Sequence, residues 1–476
     1  MTNKLNYEIC IIGAGSGGLS TASIAAQLGI KVALIEANKM GGDCLNYGCI
    51  PSKTLLAIAK HYYQAQNSKQ YGFVAHVEPI VIKNVMQKVK EVINAIAPHD
   101  SIERFTGLGV DVFHGTASFI DANTVSVNNT IIQAKRFVIA TGSSPVVPSI
   151  PGLDTVNFLT NETIFDLRDT PTSLAIIGGG PIGCEMASAF AMLGIKVTLL
   201  SHNKILPKDE ADLVDILRVS MQQQGCSIIE NTEIFSIEKL LDQQIKINFG
   251  TSDQQNFVVA SHLLIATGRT PNVTSLNLAK AGIDYTKKGI TVDNRLRTAN
   301  KKIFAIGDVA GSFLFTHIAS YHAGIVIKNI VFKIPSRINY SAVPWVTYTN
   351  PELSHVGMSY KDAIGKYKNN VKITQFDYSE SDRAQTERSV SGKIKLITLA
   401  KGQVLGVSII GVNAGELIFP WIDLVKNKTS IRDMTKNIIP YPTLSELNKF
   451  VANEFYKPVL FSAITKRIVK FLKLFW

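Results

Sequence analysis

The chain has 476 residues, of which 46% are hydrophobic and 18% are charged, and its formal net charge is +12. This composition is typical of a folded globular protein, excludes a disordered one, and at ~150 residues per domain predicts about three domains. A glycine-rich loop begins as early as residue 13, and no apolar run reaches the ~20 residues that span a bilayer. We therefore expect no signal peptide, no transmembrane segment and a cytoplasmic location. We interpret most of the positive charge as surface lysines spread along the chain, with the C-terminus as the exception, and we expect no nucleic-acid partner.

Residues 7–36 predict a strand, a glycine-rich turn, a helix and a second strand. Gly13, Gly15 and Gly18 match the dinucleotide-binding pattern G-x-G-x-x-G, and Glu36 ends the second strand. The glycines allow a tight turn and a close approach of a pyrophosphate to the helix N-terminus, and the acid binds the adenosine ribose hydroxyls. The segment therefore predicts a Rossmann unit.

Two cysteines, Cys44 and Cys49, follow this unit within the segment 41–53. Low cysteine usage without a secretion signal argues against a structural disulfide framework, so we expect a close pair to be catalytic. Pro51 at a first helical position predicts a helix that begins two residues after Cys49, and a helix N-terminus lowers the pKa of a thiol. The pattern predicts a reactive thiol pair beside a bound flavin.

The glycine pattern recurs at Gly178, Gly180 and Gly183, again between a predicted strand and a predicted helix. Two Rossmann units imply two bound dinucleotides. With a redox-active cysteine pair in the same chain, we expect FAD in the first unit and a nicotinamide cofactor in the second.

The register of the second unit predicts its nicotinamide specificity. In the first unit the acid lies 23 residues after the first glycine, and the same count from Gly178 reaches Ser201. An acid there would favour NAD and repel a 2′-phosphate, whereas Ser201, His202 and Lys204 predict binding of that phosphate and thus NADPH. The alternative is a solvated loop that discriminates little and accepts NADH.

Later turns extend the pattern. Two Ala-Thr-Gly turns, ending at Gly142 and Gly268, follow apolar strands and predict crossings between domains, with Thr141 and both glycines near the cofactors. Asp308 ends another apolar strand, where it could hydrogen-bond a flavin ribityl chain. From about residue 340, alternating apolar residues predict an antiparallel sheet with helices.

Six segments together resemble the class I pyridine nucleotide–disulfide oxidoreductases, the family of lipoamide dehydrogenase, glutathione reductase and mercuric reductase. The likeness runs from about residue 7 to 460 and rests on segments 13–18, 42–53, 178–185, 266–269, 305–309 and 442–446. It implies an α/β fold with two Rossmann-like nucleotide-binding domains and a C-terminal α+β dimerisation domain, which completes each active site of a homodimer. The implied division is FAD-binding at 1–150 and 271–335, NAD(P)-binding at 151–270, dimerisation at 336–460 and a basic tail at 461–476.

The resemblance also implies roles for the matching residues. Cys49 would face the flavin, and Cys44 would be the outer thiol that attacks the substrate. Lys53 would lie near the flavin and pair with Glu185, which would approach the nicotinamide. Gly42 would contribute to the cofactor site, and Asp308 would hold FAD.

One position departs from the pattern of the disulfide-reducing members. Those enzymes carry a histidine before a Pro-Thr pair and a glutamate five residues after it, whereas this chain has Tyr441 and Glu446. A tyrosine with a pKa near ~10 is a poor proton shuttle at neutral pH. Tyrosine there, with segments 342–348 and 381–385, resembles the mercuric-reductase-like branch, although the C-terminal vicinal cysteines of authentic mercuric reductases have no counterpart after Cys226.

We therefore expect an FAD-dependent NAD(P)H oxidoreductase that passes electrons through Cys44 and Cys49 to a metal ion or a disulfide, without a resident metal. One alternative is a dihydrolipoamide dehydrogenase-type enzyme that tolerates Tyr441. A second is a membrane-surface NADH:quinone reductase, and a third is a non-catalytic flavoprotein that senses nicotinamide.

The basic tail combines helical spacing of apolar residues with a cationic face. Its apolar positions, with the preceding residue, are Leu460, Phe461, Ile464, Ile468, Phe471, Leu472 and Phe475, and its cations are Lys466, Arg467, Lys470 and Lys473. Such a helix is suited to an anionic membrane surface, which predicts peripheral membrane contact. The alternatives are a helix docked on its own dimer and a disordered end.

Overall fold

The computed structural model describes residues 3–251 and 254–476, and the chain forms two compact units. The first unit comprises Met1–Gly178 and Ile234–Ile338, and the second comprises Gly179–Glu233 and Asn339–Trp476. Each unit is therefore assembled from two separate segments of the chain. One boundary between the units, at Gly178, lies within the second glycine loop.

A seven-stranded sheet forms the centre of the first unit. Its strands in spatial order are Val110–His114, Val32–Glu36, Asn3–Ile12, Thr130–Ile139, Thr124–Val127 and Ala117–Asp121, with Ile303–Ala305 also paired to Thr130–Ile139. The strand Asn3–Ile12 runs parallel to both of its neighbours. Parallel neighbours require a crossover connection, which the helix Ser16–Gln27 supplies between Asn3–Ile12 and Val32–Glu36. This is the nucleotide-binding topology that the first glycine pattern predicts.

Both faces of this sheet are buried, because helices and strands cover each side. Ile9 and Ile11 belong to the cluster on one face, and Cys10 and Ile12 belong to the cluster on the other. Successive residues of a strand point to opposite faces, so a continuous apolar run is what a doubly covered strand needs. Cys10 is therefore a core residue.

Shorter elements complete the first unit. Its helices are Ser16–Gln27, Gly42–Asn46, Cys49–Gln66, Ile82–Ile96, Ile102–Gly107 and Thr316–Ile330. Its further strand pairs are Ser143–Pro145 with Arg269–Pro271, Ser173–Ile177 with His262–Ile265, and Tyr285–Thr286 with Gly289–Ile290. A three-stranded sheet consists of Glu233–Lys239, Ile245–Thr251 and Gln254–Ala260.

The second unit contains a parallel strand pair and a five-stranded antiparallel sheet. The parallel pair is Lys196–Leu200 with Cys226–Ile229. The antiparallel sheet has the order Pro344–Thr347, Glu352–Gly357, Val404–Gly411, Lys393–Leu399 and Val371–Asp377, which matches the alternating pattern predicted after residue 340. The helices are Pro181–Met192, Ala211–Gln223, Tyr360–Tyr367, Asp382–Thr386, Ala414–Leu417, Phe419–Lys426, Arg432–Thr435, Glu446–Leu460 and Ala463–Leu472. Within the described ranges, no helix is both long enough and apolar enough to cross a membrane.

A buried amide fixes the core of the second unit. Trp421 is fully buried, and its Nε1 donates to Oδ1 of Asn448 at 2.7 Å. Nδ2 of Asn448 donates in turn to the carbonyl oxygen of Leu417 at 3.1 Å. Asn448 thereby satisfies two groups that would otherwise be buried without a partner.

We expect Asn448→Leu to lower the free energy of unfolding by ~2 kcal/mol or more, because an orphaned buried polar group costs ~1–3 kcal/mol. Urea unfolding followed by tryptophan fluorescence measures the loss. The control is Asn427→Leu, which changes an exposed asparagine and should shift the value by ~0.5 kcal/mol at most. Equal stabilities of the two variants would contradict this account of the core.

Candidate active site

The segment with the two cysteines folds as a short helix followed by a long one. Cys44 lies on the short helix Gly42–Asn46, and Cys49 is the first residue of the long helix Cys49–Gln66. The long helix begins two residues earlier than Pro51 predicts. Proline is tolerated as the third residue, because N–H groups of the first turn have no intrahelical acceptor. The positive end of the helix dipole therefore lies at Cys49.

Two glycines allow this segment to pack closely against the first glycine loop. Gly41 and Gly42 have φ values of +85° and +58°. A Cβ on Gly41 would lie 2.4 Å from Leu45 Cδ2, and one on Gly42 would lie 2.7 Å from the Cα of Gly15. Only glycine allows both the backbone conformation and the close approach. The cysteines are thereby held beside the first dinucleotide-binding loop.

The two thiols have opposite pKa shifts. Both are half-buried and free. The pKa of Cys49 is lowered, first by a hydrogen bond with Cys44, then by Thr316 and by the charge of Lys53, against the effect of burial. The pKa of Cys44 is raised by the same hydrogen bond and by burial. Cys49 is therefore the more acidic thiol of the pair, and Cys44 is the less acidic one.

Thr316 is a site residue that the sequence reasoning missed. Its Oγ1 lies 3.3 Å from the Sγ of Cys49, and it is the first residue of the helix Thr316–Ile330. The available signal is a hydroxyl residue at a helix start shortly after Asp308. The contact joins residues 267 positions apart, so the sequence alone does not pair them.

The first glycine loop fits a dinucleotide such as FAD. A Cβ on Gly18 would lie 1.8 Å from the carbonyl oxygen of Gly13, whereas at Gly15 the nearest atom would be 4.0 Å away. The helix that follows Gly15 has no side-chain cap, so its first amides face an open approach suited to a pyrophosphate. The Glu36 carboxylate is fixed by the backbone N–H groups of Ala14 and Asn38 at 2.6 and 2.7 Å.

A polar network joins Asp308 to the cysteine segment. Oδ2 of Asp308 accepts a hydrogen bond from Ser143 Oγ at 2.5 Å, and Ser143 Oγ accepts one from Arg269 Nε at 2.7 Å. Arg269 also forms an ion pair with Asp43 at 3.1 Å, and Asp43 accepts a hydrogen bond from Asn161 at 3.0 Å. Burial raises the pKa of Asp308, and Ser143 and Arg269 oppose that effect. The sequence singled out Asp308 but not its partners.

The predicted crossing turns flank this network. Oγ1 of Thr141 donates to the carbonyl oxygen of Asn272 at 2.8 Å, and the Asn272 N–H donates to the Gly142 carbonyl at 3.0 Å. The Gly268 carbonyl accepts from the Val146 N–H at 2.9 Å. These bonds hold the two turns side by side and so place Ser143 against Asp308.

The second glycine loop repeats the geometry of the first. Gly178 has a φ of +127°, and a Cβ there would lie 2.2 Å from the Ala266 carbonyl oxygen. Gly180 precedes the helix Pro181–Met192, and a Cβ on it would meet nothing within 4 Å. Gly183 is buried in that helix. The open approach at Gly180 suits a second pyrophosphate.

Glu185 is buried in the second unit, one turn into the helix Pro181–Met192. Its Oε1 accepts a hydrogen bond from the Tyr348 N–H at 2.9 Å. In the first unit, Nζ of Lys53 lies 3.4 Å from Ser52 Oγ. The pairing of Lys53 with Glu185 stays a prediction.

The predicted phosphate-binding loop has one buried and two exposed members. Ser201 is 6% exposed, and a Cβ on Gly179 would lie 2.3 Å from its Oγ. His202 and Lys204 are exposed.

A carboxylate that the register count missed lies directly after the next strand, Cys226–Ile229. Oε1 of Glu230 accepts hydrogen bonds from the Ile205 N–H at 2.7 Å and from Arg218 at 3.0 Å. The Arg218 guanidinium offsets the negative charge beside this loop.

Tyr441 and Glu446 make separate contacts. Tyr441 is 70% exposed, and its hydroxyl donates to Oδ2 of Asp382 at 2.9 Å. That hydrogen bond raises the pKa of Tyr441 above its usual value, which makes it a weaker acid. Glu446, the first residue of its helix, accepts a hydrogen bond from the Thr443 N–H at 3.3 Å. Asp382 is another partner that the sequence did not reveal.

The thiols that a soft metal ion could reach are those of Cys44 and Cys49. In the described residues, no three His, Cys, Asp or Glu side chains cluster as a ligand set. Cys10, Cys184 and Cys226 are buried, so Cys44 and Cys49 are the accessible sulfur donors.

Comparison with known proteins identifies the family. The model of the pyridine nucleotide-disulphide oxidoreductases matches residues 7–323, and the model of their dimerisation domain matches residues 343–450. The mercuric reductase of Lysinibacillus sphaericus is 33% identical over 463 residues, with 96% of this chain and 84% of that protein covered. The dihydrolipoyl dehydrogenase of Chlamydia trachomatis serovar D is 33% identical over 456 residues, with 93% of this chain and 95% of that protein covered.

Among solved structures, the Cu(II) complex of the HOCl-induced flavoprotein disulfide reductase RclA from Escherichia coli matches with a TM-score of 0.84. The sequence identity is 28%, and the match covers 94% of this chain and 99% of that chain. These matches confirm the predicted fold class and cofactors, and the dimerisation domain supports a homodimer. The chain thus belongs to the pyridine nucleotide-disulphide oxidoreductases, and it is an FAD-dependent NAD(P)H oxidoreductase of this family.

Proposed function

We propose that this enzyme uses NADPH to reduce a thiophilic metal ion bound at Cys44 and Cys49. The observation that carries the proposal is Tyr441, hydrogen-bonded to Asp382, at the position of the family's proton-shuttling histidine. The alternatives are a dihydrolipoamide dehydrogenase-type enzyme and an NADH:quinone reductase at a membrane surface.

The two cysteines divide the redox chemistry. When bound, FAD supplies two-electron exchange between NADPH and the thiol pair. Two electrons and one proton convert the Cys44–Cys49 disulfide into a Cys44 thiol and a Cys49 thiolate, as their opposite pKa shifts favour. Thr316 and Lys53 stabilise the negative charge on Cys49. Cys44 then loses its proton as both sulfurs bind the metal ion, two electrons pass from the sulfurs to the metal, and the Cys44–Cys49 disulfide forms again.

The cofactor roles follow the geometry of the two loops. We assign the FAD pyrophosphate to the loop 13–18, its ribose to Glu36, and its ribityl chain to Asp308. Lys53 and Glu185 are assigned to the flavin and nicotinamide rings. The domain limits given by the family resemblance stay a proposal, with NAD(P) binding at 151–270.

A metal acceptor suits Tyr441 better than a disulfide does. Cleavage of a disulfide releases a thiolate that needs a proton, whereas reduction of a thiolate-bound metal ion needs no proton delivery. Asp382 raises the pKa of Tyr441 and so weakens it further as an acid. The relative named mercuric reductase and the Cu(II) complex of RclA support a metal acceptor, with Cys44 and Cys49 as the available sulfur ligands.

The assignment of the thiols predicts a spectroscopic signature. In Cys44→Ser holoenzyme, a serine hydroxyl replaces the S–H donor, so the Cys49 thiolate should give long-wavelength charge-transfer absorbance without reductant. The band should persist as pH falls until Cys49 is protonated, and Cys49→Ser should lack it.

Thr316→Val in the Cys44→Ser background should make the band disappear at a pH about one unit higher. A hydrogen bond to a charged group contributes ~1.5–3 kcal/mol, and one pKa unit corresponds to ~1.4 kcal/mol. Thr316→Ser keeps the hydroxyl and is the control. A pH titration of the charge-transfer absorbance measures the midpoint in each variant. An unshifted midpoint in Thr316→Val would rule out stabilisation of the Cys49 thiolate by the Thr316 hydroxyl.

Tyr441→His should raise turnover of lipoamide or glutathione disulfide by ~10-fold or more, because general acid–base assistance contributes ~10²–10⁴-fold. Turnover of Hg(II) or Cu(II) should not rise. Tyr441→Phe, which also loses the bond to Asp382 but adds no base, is the control and should not gain disulfide turnover. Wild-type lipoamide turnover of ~10 s⁻¹ or more would favour the dihydrolipoamide dehydrogenase alternative.

The proposed preference for NADPH is based on the charges around the loop after the strand Lys196–Leu200. Lys204 and His202 are exposed on the loop after Lys196–Leu200, and Arg218 offsets the charge of Glu230. A 2′-phosphate would meet cationic groups at this loop, whereas the acid that favours NAD is not at its register position.

Lys204→Gln should lower kcat/KM for NADPH by ~5-fold or more and leave kcat/KM for NADH unchanged, because a phosphate contact with lysine is a charge-assisted hydrogen bond. Lys208→Gln removes the same charge from another exposed lysine nearby and is the control. Steady-state kinetics with both cofactors tests the point. A wild-type enzyme with a clearly higher kcat/KM for NADH would overturn the preference.

We further propose a cytoplasmic homodimer that contacts the membrane peripherally through residues 461–476. The supporting observations are the match to a dimerisation domain and the exposed amphipathic helix at residues 463–472.

A further inference from the structure

The basic tail (residues 461–476) lies beyond the part of the chain that the family models match, which ends at residue 450. It contains the helix Ala463–Leu472, none of whose residues is buried. A short helix without buried residues gains little from packing within the chain. The apolar residues of this helix therefore do not contribute to the core of the second unit.

Local hydrogen bonds start this helix as a separate element. Oγ of Ser462 accepts a hydrogen bond from the Thr465 N–H at 3.2 Å, which caps the N-terminus. Oγ1 of Thr465 donates to the carbonyl oxygen of Val459 at 2.8 Å, at the end of the preceding helix Glu446–Leu460. The junction fixes where the tail helix begins.

The tail helix has one apolar and one cationic face. Ile464, Ile468, Phe471 and Leu472 recur at helical spacing and are between 48% and 69% exposed. The cationic face is formed by Lys466, Arg467, Lys470 and Lys473. Ten residues span about 15 Å, half of a bilayer's hydrocarbon core, so this helix is suited to lie along a surface.

Charge decides between the candidate occupants of the apolar face. The tail has four cations and no acid, so it would be attracted to a surface dense in anionic groups. A second copy of this chain carries a formal net charge of +12, which opposes docking of a cationic helix on it. Phospholipid headgroups combine negative phosphates with an adjacent apolar layer, which matches both faces at once.

We propose that the basic tail is an interfacial anchor for bilayers that contain anionic phospholipids. Ile464, Ile468 and Phe471 enter the boundary between headgroups and acyl chains, and the four cations contact lipid phosphates. The anchor specifies the membrane contact of the proposed function but does not depend on the electron acceptor. Loss of the anchor therefore leaves reduction of a water-soluble acceptor intact.

The test is flotation of purified holoenzyme with vesicles of phosphatidylcholine alone or with 30% phosphatidylglycerol, a composition of ~1 anionic lipid in three. Binding is expected only with phosphatidylglycerol and should weaken with added salt. Lys466→Gln with Lys470→Gln should weaken binding at least ~10-fold, since each cation near an anionic surface contributes roughly fivefold. Ile464→Ser with Phe471→Ser should weaken binding even at low salt.

Lys287→Gln with Lys288→Gln removes the same charge from exposed lysines elsewhere and should bind like wild type. All variants should keep wild-type NADPH oxidation with a soluble acceptor, so a failed anchor and a failed acceptor assignment are distinguishable. The proposal is overturned if wild type does not float with phosphatidylglycerol vesicles or if the tail variants float equally well. It is also overturned if the tail variants dissociate the dimer in sedimentation, which would mean that the helix docks on a second copy.

Discussion

The close approach of Gly42 to Gly15 is the constraint on which the active site depends. It brings the cysteine segment against the first glycine loop, where a Cβ on Gly42 would lie 2.7 Å from the Cα of Gly15. The same contact places the segment that leads into the helix Cys49–Gln66 beside the first glycine loop. A side chain at Gly42 would push the cysteine segment away from the first glycine loop, so glycine is required at this position.

From this contact, a polar network extends through the first unit. Asp43, which neighbours Gly42, forms an ion pair with Arg269, and Arg269 reaches Asp308 through Ser143. One network thus fixes the cysteine segment and the carboxylate assigned to FAD. The position of the cysteine segment and the position of Asp308 are therefore coupled rather than set independently.

Much of the fold and part of the site could be predicted from sequence, because the signals are local. The glycine loops, the pair Cys44 and Cys49, and the helix in the basic tail each follow from spacing within one short segment. Thr316, Arg269 and Asp382 could not be predicted, because their roles come from contacts across long stretches of chain. Cys49 and Thr316 are 267 residues apart, and Ser143 and Asp308 are 165 apart. The helix begins at Cys49, two residues earlier than Pro51 predicts, because proline is compatible with several positions of a first turn.

In the proposed function, the thiol pair delivers its electrons to a metal ion rather than to a disulfide. Single-turnover stopped-flow of anaerobically reduced holoenzyme tests it most directly, with Hg(II), Cu(II), lipoamide, glutathione disulfide and a quinone as separate oxidants. A metal ion should reoxidise the enzyme fastest, with loss of the Cys49 thiolate signal in the same phase. Fastest reoxidation by lipoamide or by the quinone would contradict it.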